Sequence, residues 1–104
     1  MDELVAKFMP RFVTLARGRL RDALATAVER RHDRTDVAAH DLHSLAGEAG
    51  LLGLEGVIGA ARKAEDAARR FGGSASEDDA IALVECLRVL ELAVTQATSG
   101  YEDL

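Results

Sequence analysis

The stretch Ala38-Ala-His-Asp-Leu-His43-Ser-Leu-Ala-Gly47-Glu-Ala-Gly50-Leu-Leu-Gly53 decides how this chain folds. Within it Ala38, Leu42, Leu45, Ala49 and Leu52 recur at spacings of 4, 3, 4 and 3. That rhythm places all five on one stripe of an α-helix, so the segment is a helix with a single buried side. Gly50 and Gly53 bracket its end, and Gly53 suits a C-terminal cap.

The same rhythm continues in both directions. Downstream, Leu54, Val57, Ala61, Ala64, Ala68 and Phe71 mark a third helix that is predicted to stop at Gly72-Gly73. Ser74-Ala75-Ser76-Glu77 then matches a capping box, with Asp78 and Asp79 in a first turn whose dipole favours acids. A fourth helix follows, with Ala80, Leu83, Leu87, Leu90, Val94 and Ala97 inward and a frayed tail from Ser99 to Leu104. Upstream, a first helix runs from about Asp2 to Arg31 on Val5, Phe8, Phe12, Leu15, Leu20, Ala23 and Ala27, with Pro10 expected to kink or divide it. Arg31-His-Asp-Arg34 reads as a turn, with Thr35 or Asp33 as N-cap.

Four amphipathic helices on short connections are predicted to form an all-α, antiparallel up-down-up-down four-helix bundle. The 104 residues suffice for one core and one domain spanning 1–104. The starting Met and the self-contained bundle point to a stand-alone protein. Ala and Leu dominate the apolar fraction and aromatics are only 4%, which suits closely packed helices. The net charge of −5, without a basic stripe, argues against a nucleic-acid partner. The single cysteine, Cys86, cannot form an internal disulfide, and no apolar run reaches the roughly 18 residues needed to span a bilayer. A cytoplasmic protein with no membrane partner is expected.

Three histidines, at 32, 40 and 43, are the candidates for chemistry. The HExxH, CxxC, GxxxxGK[ST] and GxSxG motifs are absent, so neither a zinc site nor an ATP site of its own is expected. His43 lies one residue past Leu42, hence about 100° off the buried stripe and facing water. Its own face carries His40 at i−3, Ala46 at i+3, Gly47 at i+4 and Gly50 at i+7. A mid-helix glycine costs about 1 kcal/mol relative to Ala, and its physical use is close approach by another surface. With the turn near Gly53, the antiparallel neighbour places Glu65 level with His43 and Arg69 one turn on. There a carboxylate orients the imidazole and a guanidinium is available to a phosphoryl oxygen.

The run His43-Ser-Leu-Ala-Gly-Glu-Ala-Gly-Leu-Leu-Gly53 resembles the signature of histidine-containing phosphotransfer (HPt) domains, H-x-L-K-G followed by a later L-G. Val57, Glu65 and Arg69 also fall on that family's apolar, polar and basic positions. The resemblance implies a phosphorelay carrier in two-component signalling. His43 would accept a phosphoryl group from a receiver-domain aspartate and pass it to another receiver, with Gly47, Gly50, Glu65, Arg69 and His40 in support. It implies no cofactor on this chain, with Mg²⁺ on the partner, and response-regulator receivers as partners, those of a hybrid histidine kinase among them. A monomer is expected rather than a homodimer. Two departures from the pattern stand out: Ala46 replaces the family's lysine, and Glu48 an ordinarily small hydroxyl residue. Arg69, Arg62 or Lys63 are the cations that could compensate.

Blander readings accompany these. His40 is followed at i+4 by Ser44 rather than glycine and does not fit the signature. His40 with His43 would make an incomplete metal site. His32 reads as a loop residue, Glu65–Arg69 as a surface ion pair worth under about 1 kcal/mol, and Cys86 as a small apolar residue. Two other functions fit the same pattern: an adaptor that binds receivers or kinases without being phosphorylated, and a dimerisation module using Leu51 and Ile58.

Overall fold

The computed structural model describes residues 3–101, which form four α-helices and one short 3-10 turn, with no strand. Helix α1 spans Glu3–Val28, α2 Thr35–Leu51, α3 Glu55–Ser74 and α4 Glu77–Thr98, with the 3-10 turn at His32–Arg34. The expected Asp2 start and the last three residues of the tail lie outside the described residues. Extents of 44 × 21 × 18 Å make a rod about as long as one helix and two helices thick. Among the described residues α1 and α3 each touch both α2 and α4, while the diagonal pairs, α1 with α3 and α2 with α4, do not meet.

One core fills the space between the four helices. Leu42, Leu45 and Ala49 of α2, Val57, Ala61, Ala64, Ala68 and Phe71 of α3, and Leu83, Leu87, Leu90 and Val94 of α4 are buried in it, as their spacing requires. Helix α3 presents mostly Ala to its neighbours, and so small a side chain lets α2 and α4 approach it closely. Leu52 and Ala97 are half-buried at the edges of their stripes.

Several local expectations are corrected. Helix α1 is not divided at Pro10 but runs through it unbroken. Buried Met9, Phe12 and Val13 on either side anchor both halves, and the carbonyl of exposed Ala6, which loses its amide partner, can be hydrated. Phe8 and Leu15, expected in the core, are exposed, and Met9, Val13 and Ala16 take the inward positions. Neither Thr35 nor Asp33 caps α2: Arg34 precedes it without a side-chain cap, and the Thr35 hydroxyl donates back to the His32 carbonyl at 3.0 Å. Helix α3 does not stop at Gly72-Gly73 but continues to Ser74, where Ala75 in the left-handed conformation (φ 52°) ends it. The N-cap of α4 is Ser76, whose Oγ accepts from the Asp79 amide at 3.1 Å, so the expected Ser74–Glu77 box is displaced by two residues. Gly53, with φ 71°, does occupy the positive-φ position that the turn between α2 and α3 requires.

Candidate functional site

The site is built where α2 and α3 lie side by side. Leu42 and Leu45 fix the rotation of α2 by being fully buried, and His43 between them is thereby turned outward, its side chain 73% exposed. On α3, buried Ala61, Ala64 and Ala68 fix the rotation that brings Glu65 to the α2 edge. Glu65 is nearly covered, its side chain 13% exposed, with one oxygen 3.2 Å from His43 Nδ1. Its other oxygen accepts from Arg69 Nη2 at 2.8 Å and Nε at 3.2 Å.

These contacts set the chemistry of the ring. The Arg69 hydrogen bonds hold the Glu65 carboxyl below the usual carboxylate range, partial burial opposes this, and His43 adds a further lowering contribution. An ionised carboxylate only accepts hydrogen bonds, so Nδ1 is the donor to Glu65. In the neutral ring Nε2 then carries the lone pair, on the side away from Glu65. Arg69, Glu65 and His43 thus form a chain that fixes the tautomer and the orientation of an otherwise exposed imidazole.

The surroundings of the ring are bare, as the sequence suggested. A Cβ placed on Gly47 would meet nothing within 4 Å, and one on Gly50 only the Ile58 Cδ1 at 3.9 Å, an ordinary contact. Neither glycine is therefore required by packing within the chain. Gly47→Ala is accordingly expected to stabilise the protein by about 1 kcal/mol, read as a higher urea midpoint. No gain would mean that Gly47 has an internal structural role after all.

The structure does not bring all the expected residues together. Ala46 is buried against the core rather than bordering the clearing, so the place of the missing lysine faces inward. His40 is exposed one turn from His43 and, among the described residues, makes no polar side-chain contact. His32 is not a bare loop residue: its ring stands edge-on to Phe71, with centroids 6.5 Å apart. Glu48 pairs with Arg19 of α1 and so serves to tie two helices. Helix α2 contains no Lys or Arg, and Arg69 is already engaged by Glu65.

Sequence reasoning missed an apolar surface beside this site. Leu4, Phe8 and Leu15 of α1 are exposed, and Leu51 of α2 is 87% exposed. Together with Phe12 and Leu52 they line a cleft of about 320 Å³. Leu51 lies about two turns beyond His43 and about 80° round α2, toward α1. The signal was present in the sequence, because Phe8 and Leu15 fit the inward stripe less well than Met9 and Ala16. Ile58, by contrast, is half-buried against the core, whereas Leu51 is exposed. Among the described residues no three His, Cys, Asp or Glu side chains converge as a metal site would need, and no helix is long and apolar enough to cross a membrane.

Residues 11–100 match the family model for the Hpt domain. No curated protein and no solved structure matches the chain.

Proposed function

The chain belongs to the Hpt domain family, whose members carry histidine phosphotransfer in phosphorelays and interact with receiver domains, and from that premise we propose that His43 is its phosphoryl acceptor. The observation that carries the reading is the exposed imidazole held by Glu65 through Nδ1, which leaves Nε2 on the ring's other side. The lone pair of Nε2 attacks the phosphorus of a receiver's aspartyl phosphate in line. The N–P bond forms as the P–O bond to the aspartate breaks and its carboxylate leaves. The proton on Nδ1 stays in place, and the ionised Glu65 stabilises the positive charge that the ring acquires. Donation to a second receiver is the reverse sequence. Phosphoryl-oxygen charge is neutralised on the receiver side, where Mg²⁺ is bound, and no cofactor of this chain is required.

The receiver, we propose, covers His43 and Gly47 and extends across Leu51 to Phe8 and Leu15 of α1. An apolar surface of this kind beside a bare nucleophile suits a partner that must dock and leave. Alternating up-and-down helix directions are part of the same reading. The tight turn at Gly53, the His43–Glu65 contact and the Arg30–Glu77 pair between the end of α1 and the start of α4 support them.

The test is transfer itself. A phosphorylated receiver mixed with the protein should yield acid-labile, alkali-stable phosphate on this chain. Binding without any transfer would replace the carrier reading with the adaptor one. Glu65→Gln is expected to slow transfer about tenfold, since one charge-assisted hydrogen bond of roughly 1.4 kcal/mol is weakened. A Glu whose folded-state value is lowered contributes stability that is complete above its unfolded value and is lost as pH falls through the lowered one. The stability gap between wild type and Glu65→Gln should therefore be constant near neutrality and close below the ordinary carboxylate range. An unchanged transfer rate in this variant would remove Glu65 from the site.

A further inference from the structure

Helix α4 lies diagonally across the bundle from α2, and its outer side is exposed, with Arg88 and Leu92 also bordering a groove shared with α1. Along that face Ile81, Glu85, Arg88 and Leu92 follow one another at spacings of 4, 3 and 4, the same rhythm that marks the buried stripes. All four are exposed, and exposed Val89 flanks them. Two exposed apolar residues thus bracket an acid and a base along one line of the helix, with a third, Val89, beside them.

The order of these residues is self-complementary. Two copies of α4 laid antiparallel about a two-fold axis midway between Glu85 and Arg88 place Glu85 of each copy level with Arg88 of the other. The same axis places Ile81 of each level with Leu92 of the other. These are the alternating layers of an antiparallel helix pair. A parallel pairing would instead oppose Glu85 to Glu85 and Arg88 to Arg88, so charge selects the antiparallel register. Among the described residues Arg88 makes a long ion pair, to Glu91 of its own helix at 4.0 Å, which the guanidinium would give up at little cost on turning toward a second chain.

We propose that the outer face of α4 is a self-association surface, and that two copies of this chain pair through it as an antiparallel, two-fold symmetric dimer. Two apolar layers and two charged layers form a small interface, so the dimer is a weak one that assembles as concentration rises, with the monomer prevailing in dilute solution. Because α2 does not touch α4, the dimer leaves both His43 rings uncovered on its outer sides and so presents two acceptor sites at once.

Sedimentation equilibrium on the whole chain, from micromolar to near-millimolar, tests this. The mass is expected to rise from 11.1 kDa toward twice that value. Arg88→Glu and Glu85→Arg each bring like charges together and should weaken association at least about tenfold. The double reversal, Glu85→Arg with Arg88→Glu, restores the pairing and should restore the dimer. Circular dichroism of each variant confirms that the helices are retained, and both residues are exposed and distant from the core. A monomer at every concentration overturns the proposal. So does association that the single reversals leave unchanged, or a double reversal that stays monomeric.

Discussion

His43→Gln is expected to abolish phosphate incorporation from a phosphorylated receiver completely while leaving the fold and the docking surface as they are. The side chain is largely exposed and contributes nothing to the core, so urea unfolding of the variant should match wild type apart from the lost Glu65 contact. Glutamine retains polar atoms near the position of the ring, but its amide nitrogen has no available lone pair with which to attack phosphorus. No neighbour can take over. The nearest histidine, His40, lies on the same face but without the Glu65 contact that fixes a tautomer, and Ser44, next in the chain, is half-buried with no base described beside it. The measurement is acid-labile, alkali-stable label on the protein, with receiver binding followed in parallel. Label on His43→Gln would place the acceptor elsewhere. Loss of binding together with loss of transfer would mean that the ring, rather than the apolar surface beside it, carries most of the docking.

The second large effect concerns stability. Gly72→Ala is expected to destabilise the protein by about 2–3 kcal/mol, although alanine is the better helix former. Gly72 sits in the last turns of α3, directly against the start of α2. A Cβ there would fall on the Thr35 hydroxyl oxygen, well inside contact distance, and lie 3.2 Å from the Thr35 Cβ. Thr35 is buried, and its hydroxyl is committed to the His32 carbonyl, so it cannot move aside without breaking that bond. Thr35→Ala removes the obstructing oxygen. In the double variant the two changes should therefore cost less than their sum by at least about 1 kcal/mol. Additive costs in urea unfolding would show that the two residues do not oppose each other. The contrast with Gly47→Ala, expected to stabilise, separates a glycine kept for packing within the chain from one kept for a partner.

That contrast also marks how far the sequence could be read. The four helices, the inward stripes of α2, α3 and α4, the positive-φ turn at Gly53 and the outward placement of His43 opposite Glu65 were all legible. Each follows from a period of 3.6 residues and the requirement that apolar side chains leave water, both of which act on neighbours along the chain. The 4-3-4-3 spacing round Leu42 and Leu45 leaves His43 no place but the outside.

What the sequence could not decide depends on contacts between distant segments. Gly72-Gly73 reads as a helix stop, yet α3 passes through it, and Gly72 lies against Thr35, far away in the chain, where a side chain would not fit. Exposed Phe8 and Leu15 meet Leu51 in one cleft because α1 packs beside α2, a contact between helices that periodicity along α1 does not give. Glu48 is spent on Arg19 of α1 for the same reason. Periodicity along a helix fixes which side is apolar; only packing against the other helices fixes the angle at which that side is presented, and a rotation of one residue moves a side chain by about 100°.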